Sequence, residues 1–177
     1  MFGVNLADPS SGRSTTPMRL ALSTDYALRT LIFVGAKAGR LATIAEIAES
    51  FDISKSHLMK VVNRLGRQGY LDTTRGKGGG IRLARSVADI RVGTVVRETE
   101  EDLAVMGCLA ESGFCRIEGC CVLRGALRAA TLAFLQTLDD YTLADLLAPA
   151  AQLAESLGLE PEVQPAVRPP QNPVAAP

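Results

Sequence analysis

Apolar residues recur at helical spacing through the first half of the chain, and the pattern predicts three helices before residue 70. The first has an apolar stripe from Leu28 to Gly35 at positions i, i+3, i+4 and i+7, with Ser23 or Thr24 as its N-cap. The second begins after Thr43, with Glu46 three residues later in the position of a capping box. Each helix therefore has one face to bury.

The third helix differs because its two faces are chemically distinct. Ser54 is its expected cap, and its apolar stripe consists of Leu58, Val61, Val62 and Leu65. A short turn leading into a capped helix with a polar outer face is typical of a helix-turn-helix that enters the major groove of DNA. We expect the early residues to reach base edges and the later ones phosphates. The candidates on this helix are Ser54, Lys55, Ser56, His57, Lys60 and Arg64.

The period then changes from helical to extended. Residues 70–74 and 81–83 predict two short strands, and the sequence RGKGGG lies between them. A glycine-rich tip allows close approach of the backbone to a partner, so Arg75 and Lys77 are expected on phosphates or in a minor groove. A flexible surface hairpin is the alternative. A nucleotide-binding loop is not predicted, since neither GxGxxG nor GxxxxGK[ST] occurs.

Charge is segregated along a chain whose formal net charge is zero. Residues 54–85 contain eight basic side chains and one acidic one, whereas residues 98–118 contain six acidic side chains and one basic one. A charge run can be only a solvated face, but its coincidence with the helix-turn-helix pattern favours DNA binding. The low aromatic content of 5% argues against a base-stacking platform. His57 is the only histidine, which leaves no Ser-His-Asp set, and we do not predict an enzyme.

The four cysteines lie within 14 residues of one another, at positions 108, 115, 120 and 121. Clustered thiols in a chain without a secretory signal indicate metal or redox chemistry, although chance buried cysteines are the alternative. Zinc usually draws its ligands from CxxC pairs, which this chain lacks. Thiolates separated by several loop residues favour an iron–sulfur cluster over zinc.

A long apolar stripe follows the cysteines, from 122 to 138, and predicts a helix. Because a DNA-binding unit of this kind commonly works as a symmetric pair, we expect a dimerisation helix rather than an intramolecular packing helix. Prolines are absent between residues 18 and 148 and cluster near the C-terminus. The expected organisation is a disordered extension (1–17), a winged helix-turn-helix (18–100), a cysteine loop (101–121), a dimerisation helix with a terminal helix (122–150), and a largely disordered Pro-rich tail (151–177). The fold class is mainly α with a small β-wing.

Five stretches in this order make the chain resemble the Rrf-type bacterial iron–sulfur transcription regulators, and within that family the nitric-oxide-sensitive repressors. They are STDYALRTL (23–31), SKSHLMKVVNRLGRQGYLDTTRGKGGGIRL (54–83), VGTVVRETE (92–100), FCRIEGCCVLRGAL (114–127) and LDDYTLADL (138–146). Together they span about residues 18–147.

The resemblance implies a ligand set for the cluster. Cys108, Cys115 and Cys121 correspond to the family's three cluster cysteines, and Cys120 is an additional thiol beside them. The fourth contact falls on Asp25 from the first helix of the partner subunit, with Arg29 one turn later in support. From the residues alone, Asp25 is an acid favourably placed near a helix N-terminus. The cluster is either [2Fe–2S] or [4Fe–4S].

The resemblance further implies a cytoplasmic homodimer that represses transcription on double-stranded operator DNA and releases it when nitric oxide attacks the cluster. Two alternatives remain at this stage. One is a regulator of the same fold that senses iron or iron–sulfur supply, and the other is a zinc-stapled DNA-binding module without a sensing role. The sequence contains no run of about 18 apolar residues, so we do not predict a membrane span.

Overall fold

The computed structural model describes residues 20–103, 109 and 115–159. The described helices and strands follow one another in this order: α1 (Leu22–Ala36), α2 (Ile44–Phe51), α3 (Lys55–Arg67), β1 (Leu71–Thr74), β2 (Gly80–Leu83), α4 (Val92–Thr99), α5 (Val122–Asp139), α6 (Leu143–Leu146) and α7 (Ala150–Ser156), with single 3-10 turns at Val87–Asp89 and Glu118–Cys120. This mainly helical chain with one antiparallel β-hairpin confirms the predicted winged helix-turn-helix.

The caps of the two helices of the helix-turn-helix form as predicted. Thr43 and Glu46 make a reciprocal capping box at the start of α2, and the Ser54 hydroxyl accepts the backbone N–H of His57 at the start of α3. The turn between them places Asp52 in the left-handed region, with φ at 52°. The end of α2 and the start of α3 are thus both fixed by local hydrogen bonds.

The predicted cap of α1 is wrong. The helix begins at Leu22 after Ala21, which provides no side-chain cap, so both Ser23 and Thr24 lie inside the helix. Thr24 is fully buried and its hydroxyl has no hydrogen-bond partner among the described residues. Packing of α1 against its neighbours therefore decides where the helix begins, instead of a capping side chain.

The hairpin β1–β2 forms the wing (residues 71–83). Its strands pair from Leu71 opposite Leu83 to Thr74 opposite Gly80. Ala42, in the connection between α1 and α2, pairs with Ile81 through two backbone hydrogen bonds of 2.9 and 2.7 Å. Ile81 is itself buried. The root of the wing is therefore held by the body of the domain while its tip projects.

The core lies where α1 meets α2, α3 and the root of the wing. Its largest fully buried side chains are Phe33, Leu31, Ile47, Leu58, Leu65 and Tyr70. Helix α4 packs between α1 and α5, with Val95 and Val96 fully buried. Gly93 permits this close approach, because a Cβ atom there would overlap the carboxylate of Asp139 in α5.

The C-terminal end of the fold extends further than predicted. Helix α7 continues past residue 150, into the segment expected to be a disordered tail, and Leu157 and Leu159 pack against the core. The predicted extension 1–17 and the tail from residue 160 lie outside the described residues. Within residues 20–103, 109 and 115–159, no helix is both long and apolar enough to cross a membrane.

Candidate functional site

The outer face of α3 presents the predicted DNA-binding residues to solvent. Its apolar stripe, Leu58, Val61, Val62 and Leu65, is buried against the core. The first turn is exposed, and the hydroxyls of Ser54 and Ser56 lie 3.2 Å apart. Five of the predicted DNA-binding residues lie on this face at the start of α3, and all five are exposed: Ser54, Lys55, Ser56, His57 and Lys60.

Two features of this face were not predicted. The ring of His57 stacks with that of Tyr26 from α1, with centroids 6.4 Å apart, so the first turn of α3 contacts the helix that carries Asp25. Met59 is 55% exposed and is a large apolar side chain on an otherwise polar surface. Its signal in the sequence was its position three residues after Ser56, outside the buried stripe.

Arg64 has a different environment from the one predicted. Its guanidinium donates to the backbone carbonyl of Thr99 at 2.9 Å and to that of Glu98. The side chain therefore turns toward α4 and does not extend from the outer face of α3. The side-chain amide of Gln68 donates to the same Glu98 carbonyl at 2.9 Å. Both side chains thus satisfy carbonyls that the end of α4 leaves without helical partners. The observed contact of Arg64 is thus an interhelical one with α4, and its phosphate contact stays a prediction.

The tip of the wing carries Arg75 and Lys77, both exposed. Gly76 and Gly78 have φ angles of 101° and 81°, which side chains other than glycine rarely adopt. Farther down the hairpin, Arg82 pairs with Asp72 across the strands. The structure thus brings two cations to the tip of a hairpin that is fixed at its root, on the same domain as α3.

Three of the four cysteines are described, and all three are free thiols. Cys115 and Cys121 are partly buried and Cys120 is exposed, with its thiol 3.5 Å from the carbonyl of Ile117. Cys121 is the N-cap residue of α5, where the helix dipole favours negative charge. Cys108 lies outside the described residues. Among those residues, no three His, Cys, Asp or Glu side chains come together as a metal site.

Asp25 and Arg29 lie one turn apart on α1, as predicted, and form an ion pair at 2.9 Å. Their side chains are 39% and 44% exposed. The Arg29 guanidinium also lies 5.6 Å from the centre of the Phe51 ring in α2. Asp25 thus lies near the start of α1, paired with Arg29 and partly exposed.

Helix α5 is as long as predicted but is covered on little of its surface. Leu135 is its only buried residue. Leu123 and Phe134 lie on one side of the helix and are 56% and 46% exposed, so they form its exposed apolar face. Leu132 and Val122, on other sides of the helix, are 57% and 86% exposed. An apolar face of this length left open on one chain is typical of a surface that another subunit covers.

Sequence reasoning missed the role of α4, although its signal was present. The buried residues Val92, Val95, Val96 and Thr99 are spaced i, i+3, i+4 and i+7. The helix ends immediately before the cysteine segment. Near its C-terminus, burial and the Glu98 carboxylate raise the pKa of the Tyr70 phenol far above its usual range, so this side chain stays neutral.

Comparison with known proteins agrees with this architecture. Residues 20–149 match the Rrf2 family model, which is described as an iron-dependent transcriptional regulator. The HTH-type transcriptional regulator NsrR of Bacillus subtilis (strain 168) is 50% identical over 132 residues, which are 73% of this chain and 90% of that protein. The regulator of the same name from Geobacillus kaustophilus (strain HTA426) is 50% identical over 142 residues, covering 79% and 97%.

Solved structures show the same fold at lower identity. T. potens IscR superposes with a TM-score of 0.59 at 24% identity, covering 76% of this chain and 89% of that one. The oxidized form of Staphylococcus aureus CymR also gives 0.59, at 23% identity, covering 74% and 97%. With the exposed outer face of α3, the wing and the match over residues 20–149, the chain belongs to the Rrf2 family and is a DNA-binding transcriptional regulator rather than an enzyme.

Proposed function

We propose that the protein is a cytoplasmic repressor that binds double-stranded operator DNA as a homodimer, holds an iron–sulfur cluster through its cysteine segment, and releases the operator when nitric oxide reaches that cluster. The observation that carries the proposal is the set of free thiols at the start of α5, in a chain 50% identical to two regulators named NsrR.

DNA binding is assigned to α3 and the wing. In this proposal Ser54, Ser56 and His57 at the start of α3 meet base edges, while Lys55 and Lys60 supply positive charge on the same exposed face. Arg75 and Lys77 at the tip of the wing add contacts to phosphates or to a minor groove. Arg64 is left out of this set because its guanidinium is engaged by α4.

The chemistry of the donor set fits an iron–sulfur cluster. Cys115 and Cys121 are free, partly buried thiols at the two ends of a segment that contains one 3-10 turn. An ion pair between Glu118 and Arg124 links this segment to the first turn of α5. With Cys108 as the third ligand, this chain offers three thiolates, the ligand type that iron–sulfur clusters use.

The fourth contact is Asp25 of the partner subunit. Its carboxylate is accessible and is oriented by Arg29, which can retain it in a ligating position. The exposed apolar face of α5 is the surface through which the two subunits associate. Cys120, exposed and beside Cys121, is an accessory thiol.

When bound, the cluster supplies iron whose carboxylate ligand is weaker than its thiolate ligands, and this leaves one position open to a small molecule such as nitric oxide. The chain's own contribution is to keep the two recognition helices at the separation of successive major grooves, about 34–36 Å. A dimer in which this separation varies binds its operator less tightly.

The experiment is an anaerobic titration of the purified full chain with nitric oxide, recording the visible spectrum and operator binding on the same samples. We expect a brown protein whose cluster absorbance and operator affinity fall together. A brown protein that keeps both would instead indicate a regulator responding to iron or cluster supply. A colourless protein that contains zinc after attempted cluster reconstitution would indicate the zinc-stapled module.

A further inference from the structure

Residues Glu98–Glu100, which we name the α4 strap, lie at a junction of three parts of the molecule. They form the end of α4 and lead directly toward the cysteine segment. The carbonyls of Glu98 and Thr99 accept hydrogen bonds from α3, and the carboxylate of Glu100 accepts the backbone N–H of Ala21 at 2.7 Å. The strap therefore contacts the recognition helix α3 and the start of α1, and the cysteine segment follows it in the chain.

The contact with α3 is made by side chains suited to fixing a position. The planar guanidinium of Arg64 donates to two successive carbonyls, and Gln68, the residue that follows α3, donates to one of them. Charge-assisted bonds from a planar donor to two acceptors restrict orientation as well as distance. These hydrogen bonds therefore fix the position of α3 relative to the strap.

Helix α4 is also held against the end of α5, from its N-cap at Arg91 to its last turn at Arg97. Arg97 forms an ion pair with Asp139 at the end of α5, and Arg91 donates to the backbone carbonyl of Asp139 at 2.9 Å. Gly93 brings the two helices into close contact at the same place. Helix α4 thus joins the helix with the exposed apolar face to the recognition helix, and its C-terminus leads toward the cysteines.

We propose that the α4 strap transmits the state of the cysteine segment to the recognition helix, with Arg64 and Gln68 as the positioning residues that couple the two. This inference rests on the proposed function, since it assumes that the cysteine segment changes state. The binding of a cluster fixes the backbone that follows the strap, and Arg64 and Gln68 then hold α3 in the orientation that fits operator DNA. Loss of the cluster removes this constraint on the backbone that follows the strap, and the strap can then move.

Coupling between two sites is a difference in free energy between states. The quantity to measure is the ratio of operator affinities of the full chain with its cluster and after its removal. Arg64→Gln removes the planar guanidinium, which donates to two carbonyls, together with its positive charge. Arg67→Gln is the matched control, because Arg67 lies one turn away on the same helix, is exposed, and makes none of the described contacts with α4.

For Arg64→Gln we expect the ratio to fall at least about fivefold toward one, which lies within the usual range of allosteric coupling. The affinity of the cluster-free protein and the slope of log affinity against log salt concentration should stay as in the unchanged chain. Arg67→Gln should leave the ratio unchanged. Arg64→Lys keeps the charge but not the planar fork, so it should lose coupling as Arg64→Gln does, whereas a phosphate contact would be preserved by lysine.

A large ratio in the unchanged chain that persists in both Arg64 variants would overturn this inference and leave the proposed function standing. A ratio near one in the unchanged chain would overturn both. Folding of each variant is checked by thermal unfolding. Amide hydrogen exchange at Thr99 and Glu100 provides a readout independent of DNA binding. In the unchanged chain it should be slower with the cluster than without it, and equal exchange in the two states would also overturn the inference.

Discussion

The ammonium group of Lys37 lies 2.6 Å from one carboxylate oxygen of Glu46, whose other oxygen accepts the backbone N–H of Thr43 at 2.7 Å. One carboxylate therefore closes the capping box of α2 and pairs with a lysine that is only 8% exposed. This pair joins the end of α1 to the start of the helix-turn-helix.

Glu46→Gln should destabilise the fold by about 2 kcal/mol, because it weakens a charged hydrogen bond and leaves the Lys37 charge buried without its counter-ion. Burial raises the pKa of Glu46, but the hydrogen bonds from Lys37 and Thr43 outweigh it and the pKa is lowered overall. The stabilisation is thus present above the carboxyl's ordinary pKa of 4.5 and is lost as the pH falls through the lowered value in the folded state. Urea unfolding across a pH series that descends from pH 7 checks this, and a difference between variant and unchanged chain that does not shrink as the pH falls below 4.5 would contradict it.

Gly93→Ala should destabilise the chain by about 1–3 kcal/mol, since the added methyl group meets the carboxylate and the backbone nitrogen of Asp139. Gly125→Ala is the control in α5, where an added Cβ has no neighbour within 4 Å. There we expect a gain of about 0.5–1 kcal/mol from the lower backbone entropy of alanine in a helix. Thermal unfolding of both variants measures the difference, and equal midpoints would show that α4 and α5 do not approach as described.

Lys60→Ala and Lys77→Ala should each weaken operator binding. Each should also reduce the magnitude of the slope of log affinity against log salt concentration by about 0.9. The physical reason is the release of one fewer counterion when one phosphate contact is lost. Arg128→Ala removes the same charge from the exposed surface of α5 and should leave the slope unchanged. Fluorescence anisotropy across a salt series provides the measurement. If the slope is unchanged in a lysine variant, the lysine that was replaced does not contact a phosphate.

Cys115→Ser should abolish iron retention and the specific binding of operator DNA, whereas Cys120→Ser should retain both. Cys115 is a partly buried thiol at the beginning of the segment that we assign to the cluster, and Cys120 is exposed beside Cys121. Iron content, visible absorbance and operator affinity are measured on the anaerobically purified chains. Operator binding by Cys115→Ser equal to that of the unchanged chain would refute the link between cluster and repression.

Phe134→Glu should convert the proposed dimer to monomer, because it places a charge on the exposed apolar face of α5. Gln136→Glu introduces the same carboxylate at an exposed polar position of that helix and should leave the dimer intact. Sedimentation velocity distinguishes the two states. A dimeric Phe134→Glu would place the subunit interface elsewhere.

Local patterns predicted the helix-turn-helix and the wing well. The caps at Thr43 and Ser54 depend on residues three positions away, and the hairpin depends on a glycine-rich tip between two short strands. Such interactions are written in adjacent sequence and need no knowledge of the rest of the fold. The start of α1 was missed because Thr24, a good cap in isolation, is buried by packing.

The sequence by itself determined the winged helix-turn-helix, the clustered cysteines and the long helix after them, since each is set by periodicity, capping or spacing within a few residues. Only the tertiary structure decided that Arg64 faces α4 instead of solvent, that His57 stacks on Tyr26, and that α4 connects α3 with α5. Arg64 lies on the same helix as Lys60 and carries the same charge, so no local pattern separates their roles. What separates them is the position of unpaired carbonyls 34 and 35 residues away in the chain, which only folding brings within hydrogen-bond distance.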